Sequence, residues 1–218
     1  PVFENNPSIE KITAFATLPE DVIESDNKKY KARIIVTDTV YLQIWNFHVM
    51  TGNKQNLLKG PQDAVITQRY ARKLFGSEEK AIGKKLVHSS GQTITVIAVL
   101  KEPVEKSSIQ FDILVSYQLQ KNWGYMFSGC ILLTPGTDIQ QFNKEQLANS
   151  KEGVPPYQLF PLKENYFDDS ITRFCDSFLQ GNFANVMILS GVAFLILLVG
   201  IFNFINIYTV LMLKRARE

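Results

Sequence analysis

Histidine and cysteine are nearly missing: two of each in 218 residues. Two Cys cannot staple a disulfide scaffold. His48 and His88 have no Cys or carboxylate beside them at metal-ligand spacing, so both read as structural. An excess of one charge is missing too. Lys and Arg number 23 against 21 Asp and Glu, a net of +2 without a basic stripe, which argues against a nucleic-acid binder. Disorder is excluded by abundant Leu, Ile, Val and Phe at low net charge. There is no internal repeat, no low-complexity tract and no nucleophile elbow. Gly76 to Lys85 has six residues between its glycines instead of four and no Ser or Thr after the lysine, so it reads as a helix stop and a turn, not a phosphate loop. The acidic neighbours Glu20 and Asp21, Glu78 and Glu79, and Asp168 and Asp169 fall in predicted turns or helix starts, where solvated or capping roles are ordinary. No catalytic, cofactor-binding or metal-binding residue emerges.

Charge is absent altogether from one region. Ser177 to Leu213 is 37 residues without Asp, Glu, Lys or Arg, and 22 of the 28 residues from Val186 to Leu213 are apolar. Such a helix exceeds the roughly 20 residues that a bilayer core requires. Buried core helices are shorter and keep a polar stripe. Residues 183–213 are therefore a predicted transmembrane helix. Lys214, Arg215 and Arg217 follow at once and place that end in the cytoplasm by the positive-inside rule. Residues 1–182 then lie on the extracytoplasmic side. The chain opens on Pro1 with no signal-peptide pattern, so an earlier membrane helix before Pro1 is expected to export the domain. Gly200, Asn203 and Asn206 share one helix face. Amides in hydrocarbon are costly unless partnered, and small and amide residues favour close helix contact. These three are the helix-packing candidates.

The outside region mixes strands and helices. Strands are predicted at Ile9–Leu18, broken by Pro19, Glu20 and Asp21, and at Lys28–Thr37 after a polar turn. Asp38 caps a short helix, and Phe47–Met50 is a third strand before a polar loop from Thr51 to Gly60. Asp63–Ile66 is a strand, Thr67 caps the helix QRYARKLF, and Gly76 stops it. Lys84–His88 and Gln92–Leu100 flank a Ser-Ser-Gly turn as a hairpin. Further strands are predicted at Ile109–Val115, Cys130–Leu133 and Tyr157–Leu162, and helices at Gln140–Asn149 and Tyr166–Leu179. The class is α+β with two subdomains, residues 1–59 and 128–182 packing together around a β-rich insertion, residues 60–127. Cys130 and Cys175 would lie on an oxidising side, so a bond between them is allowed; two buried thiols are the alternative.

The stretches Ala64-Val-Ile-Thr-Gln-Arg-Tyr-Ala-Arg-Lys-Leu-Phe-Gly76, Ala81-Ile-Gly-Lys-Lys-Leu86 and Thr95-Val-Ile-Ala-Val-Leu100, with Leu132-Leu-Thr-Pro-Gly-Thr-Asp138 later, resemble the extracytoplasmic core domain of MacB-type ABC transporter permeases. Asn203-Phe-Ile-Asn-Ile-Tyr and Lys214-Arg-Ala-Arg-Glu218 resemble the start of an FtsX-like permease domain. The resemblance implies a porter-like part split in sequence, an inserted sabre-like part, and a membrane helix that is the second of four. It implies no cofactor in this fragment, with ATP and magnesium bound by an ABC ATPase domain or subunit. The implied partners are that ATPase, a second permease copy or half, membrane lipid and extracytoplasmic proteins. The implied location is the bacterial cytoplasmic (inner) membrane, and the implied work is export or mechanotransmission. A membrane receptor with an extracytoplasmic sensor domain is the alternative. A membrane-anchored enzyme ranks below both, since no site is visible.

Overall fold

The computed structural model describes residues 6–102, 109–119, 127–148, 158–167 and 181–217. The chain divides into two compact units, Pro1–Leu179 and Gln180–Glu218.

The described residues of the first unit form eight strands: β1 (Ile9–Ser25), β2 (Lys28–Thr37), β3 (Val49–Gly52), β4 (Asp63–Thr67), β5 (Lys85–His88), β6 (Thr93–Leu100), β7 (Ile113–Ser116) and β8 (Ser128–Leu133). The α-helices among those residues are α1 (Thr39–Ile44), α2 (Gln68–Phe75), α3 (Glu78–Ala81) and α4 (Ile139–Ala148). The expected α+β class is what the structure has.

β1 is longer than its sequence suggests. It does not stop at Pro19. Leu18 pairs with Ile34 and Asp21 with Ala32, so Pro19 and Glu20 together face the single residue Arg33. That is a β-bulge, one of the few places where a sheet tolerates proline. Asp26 and Asn27 then turn the chain with φ of 48° and 59°. Positive φ at both central residues is the two-residue hairpin turn whose twist suits β1 and β2.

The pairing closes on itself. β1 pairs with β2, β2 with β7, β7 with β4, β4 with β6, β6 with β5, and β5 with β1 again. β3 pairs with β6, and β8 with the first half of β1. The pairs β2–β7 and β4–β6 are parallel. Their unbroken apolar runs, Ile34–Val36, Ala64–Ile66 and Ile113–Val115, are fully buried, as strands covered on both faces require. One face carries Ile34, Val36, Ala64, Ile66, Val96, Ile113 and Val115 with Tyr70, Ala71 and Ala81 of α2 and α3. The other carries Ile35, Val65, Ala98 and Leu114 with Phe15, Tyr41 and Leu42 of α1 and with Leu57 and Leu58.

This sheet runs across the boundary expected after residue 59. β2 and β3 precede that point, yet they pair with β7 and β6, which follow it. The polar stretch from Thr51 to Gly60 looks like a linker in sequence. In the structure its Leu57 and Leu58 are buried in the core and its Gly52 belongs to β3. It connects strands of one sheet.

The remaining expected elements differ by degree. The hairpin β5–β6, the strand β7 and helix α4 stand where the sequence placed them, within a few residues. Residues 158–162 form no strand. Their backbone is held by a side chain instead, since Asn143 accepts from the Leu159 amide at 2.8 Å and donates to its carbonyl at 2.9 Å. Of the helix expected over Tyr166–Leu179, only Tyr166 and Phe167 are described, in a 3₁₀ turn from Asn165 to Phe167. Cys175, and with it the bond allowed to Cys130, lies outside the described residues, as do Asp168 and Asp169.

Candidate functional site

The second unit is one helix, α5 (Phe183–Arg215), of 33 residues. Asn182 caps it, accepting from the Asn185 amide at 3.0 Å. At 1.5 Å per residue it is about 50 Å long, and it contains no proline to kink it. It is long and apolar enough to cross a membrane. Its apolar side chains are bare: Leu189 and Ile196 are each 68% exposed and Val199 69%. A surface of that kind is unstable in water and ordinary in lipid. Thr209 donates its hydroxyl to the Ile205 carbonyl at 2.8 Å, so it carries no unpaired donor into the hydrocarbon.

The expected packing residues lie on this helix as their spacing requires. Gly200, Asn203 and Asn206 follow at steps of three and are exposed. Lys214 and Arg215 occupy the last helical turn, where positive charge also suits the helix dipole. Arg217 stands in the turn beyond the C-cap Ala216.

In the first unit, the stretch that carries the family likeness is a folded motif and not a reactive one. Thr67 caps α2 by accepting from the Tyr70 amide at 3.3 Å. Tyr70 and Ala71 are buried, and Leu74 and Phe75 pack beside them. Gly76 closes the helix at φ 81°, a conformation that suits glycine. Ser77 caps the single turn α3, and Ala81 and Leu86 are fully buried. The spacing that superficially resembles a phosphate loop is thus a helix stop followed by a turn, as expected.

Its charged groups are used to hold elements together. Glu78 accepts from the Gln68 side-chain amide at 2.6 Å and meets the Arg72 guanidinium at 2.8 Å. The Gln68 hydrogen bond first, and Arg72 next, hold its carboxyl below the usual glutamate range. Tyr70 donates its hydroxyl to the Lys31 carbonyl at 3.3 Å. Burial, with Asp112 nearby, pushes that phenol well above its ordinary value, so it stays neutral and cannot act as a base.

Asp112 was not singled out by sequence reasoning, and it is the best-connected carboxylate here. It accepts from the Arg33 amide at 3.0 Å and from the Arg69 guanidinium at 3.0 Å. Its own amide donates to the Arg33 carbonyl at 2.8 Å, and its carbonyl accepts from the Thr67 amide at 3.0 Å. It ties β2, β7 and the start of α2 together. The available signal was a lone acid inside an apolar run, Phe111-Asp112-Ile113-Leu114.

His88 is buried, with Nε2 2.9 Å from Oδ2 of Asp21 and Nδ1 2.8 Å from the Ser90 hydroxyl. The Ser90 amide donates to the same Nδ1 at 3.1 Å. The group sits where β5 meets β1, with Ile23 paired to His88, and so reads as a strand contact. His48 is exposed. No cluster of three or more His, Cys, Asp or Glu occurs among the described residues. A shallow cavity of about 440 Å³ is lined by Asn53, Asn56, Lys59, Gly60, Asp63 and Ile97. Its polar groups serve local turns: Asn53 accepts from the Gln55 amide, Asn56 from Lys59, and Asp63 from the Gly60 amide.

An α+β domain followed in sequence by a bare apolar helix agrees with comparison to known proteins. Residues 2–147 match the model of the MacB-like periplasmic core domain. No curated protein matches the chain. Three solved structures share the fold. A domain described as belonging to a permease protein from Porphyromonas gingivalis is 18% identical with a TM-score of 0.59, covering 85% of each chain. The extracellular domain of the noncanonic ABC-type transporter YknZ from Gram-positive bacteria is 20% identical with a TM-score of 0.58, covering 72% of this chain and 84% of that one. The periplasmic region of MacB from Actinobacillus actinomycetemcomitans is 14% identical with a TM-score of 0.52, covering 65% of each. The match over most of the chain shows that it belongs to the MacB-like periplasmic core domain family, here with an apolar helix at the C-terminal end.

Proposed function

We propose that this chain is part of the permease subunit of a MacB/FtsX-like ABC transporter that couples cytoplasmic ATP hydrolysis to motion of the extracytoplasmic domain. The observation that carries the reading is α5: 33 unbroken residues, bare along their length, ending in Lys214 and Arg215. A helix without a kink transmits displacement along its axis, and its basic end marks the cytoplasmic edge of the membrane. ATP and magnesium would be bound by a separate nucleotide-binding domain or subunit. The domain itself supplies no catalysis and works by export or by mechanotransmission to an extracytoplasmic partner. The chain would sit in the bacterial cytoplasmic membrane with residues 1–182 outside.

Gly200, Asn203 and Asn206 would contact neighbouring helices of the same or a second permease copy. The test is the pair Asn203→Leu and Asn206→Leu in the full-length permease, reconstituted with its ATPase. Interhelical amide bonds in membranes contribute roughly 0.6 kcal/mol each, up to about 2. Stimulation of ATP hydrolysis by the permease should fall about fivefold while membrane insertion is unchanged. Equal stimulation in wild type and double variant would sink the packing role.

A further inference from the structure

The stretch Leu132 to Asp138 runs from the end of β8 to the start of α4. β1 and β8 are antiparallel, so the first residue of β1, Ile9, pairs with the last residue of β8, Leu133. The chain therefore enters and leaves this sheet side by side. Thr134 then bonds twice to the entering strand. Its amide donates to the Ser8 carbonyl at 3.0 Å, and its hydroxyl donates to the Pro7 carbonyl at 3.0 Å.

Each side of this contact is a stiffened turn. On the entering side Asn6 accepts from the Ser8 amide at 2.9 Å through its side chain, and from the Ile9 amide at 3.0 Å through its carbonyl. On the leaving side the Thr134 carbonyl accepts from the Thr137 amide at 3.2 Å and from the Thr137 hydroxyl at 2.8 Å. Gly136 adopts φ 89°, which the tight turn needs. Asp138 then accepts from the Gln140 amide at 2.8 Å and the Gln141 amide at 3.3 Å, starting α4. Two short turns are thus cross-bonded by one residue, at the point where both chain connections reach the sheet.

We infer that Thr134 is a coupling residue: its two hydrogen bonds clasp the entering strand to the leaving one, so that displacement of either connection moves β1 and β8 together. This rests on the permease reading, in which both connections lead to membrane helices. Without the clasp, a pull on one connection peels its strand end before it moves the sheet, because strand ends open at the lowest free energy.

The test compares Thr134→Val, which loses the hydroxyl donor, with Thr134→Ser, which keeps it, in the full-length permease reconstituted with its ATPase. Two quantities are read: hydrogen exchange at the amides of Ile9 and Thr134, and ATPase stimulation by the permease. One exposed hydrogen bond corresponds to about threefold in a local opening equilibrium. Thr134→Val should exchange about threefold faster at those amides and lose stimulation by a similar factor, with its melting temperature unchanged, and Thr134→Ser should restore both. Faster exchange with full stimulation overturns the inference while leaving the permease reading intact. Unchanged exchange in Thr134→Val also overturns it. Absence of stimulation in the wild type overturns the permease reading, and the inference with it.

Discussion

Gly52→Ala should lower the melting temperature of this protein by about 10 °C, near the largest effect a single methyl can have. Gly52 sits at φ 105°, and a Cβ there would lie 2.3 Å from the Ile97 carbonyl oxygen and 2.7 Å from the Ala98 Cα. Both obstacles are backbone, so no rotamer change relieves them. The crowding has a structural origin. β4 pairs Ala64 with Val96 and Val65 with Ala98, leaving Ile97 as an extra residue on β6. The bulge turns the Ile97 carbonyl toward β3, where it accepts from the Asn53 amide at 3.3 Å. Making room for a methyl means moving a strand that pairs on both sides. Strain of this kind costs about 3–5 kcal/mol. Gly136→Ala is the control, since its φ is 89° but nothing lies within 4 Å of the added methyl. It should cost only about 1 kcal/mol. Thermal unfolding followed by circular dichroism separates the two, and equal melting of both variants would contradict the packing described around the bulge.

Asp112→Ala should be next in size, at about 2–4 kcal/mol. The carboxylate is only 19% exposed, whereas Arg69 opposite it is 69% exposed. The ion pair itself therefore contributes little, as exposed pairs do. The weight rests on the Arg33 amide, which would lose its acceptor at the junction of β2 and β7. Arg69→Ala should accordingly cost below about 1 kcal/mol, and Asp112→Asn should fall between, because its amide oxygen still accepts one bond. Urea titrations with unchanged slope give these differences directly. If Arg69→Ala proves as costly as Asp112→Ala, the ion pair and not the buried amide holds this junction.

How much of this was legible beforehand follows from which signals are local. Caps are local: Asp38, Thr67 and Gly76 announce α1 and α2 by residue type, and each performs the expected bond or turn. The hairpin β5–β6 is equally local. The apolar run from Val186 to Leu213 is legible from composition alone. The continuation of β1 through Pro19 is not, because a proline tolerated at a bulge and one that ends a strand look alike until the partner strand is known. The single sheet across residue 59 was hidden for a related reason. A polar loop signals a change of direction, and only the pairing of β3 with β6 shows that the chain returns to the same sheet. Asp112 and Thr134 were missed because each acts on residues far away in sequence, Arg33 and Pro7.

The charge balance can now be located. Without Lys214 to Glu218 the chain carries 20 basic and 20 acidic residues, so its excess sits wholly at the end of α5. The central claim, an outside domain held by a helix whose basic end is cytoplasmic, is tested most directly by cysteine accessibility. Single cysteines are placed at Lys29, exposed beside the first hairpin turn, and at Ala216, exposed just past α5, with Cys130 and Cys175 changed to serine. In intact spheroplasts expressing the full-length protein, a membrane-impermeant maleimide should label position 29 at once and position 216 only after the membrane is permeabilised. Labelling of both positions in intact cells, or of position 216 alone, would contradict the account.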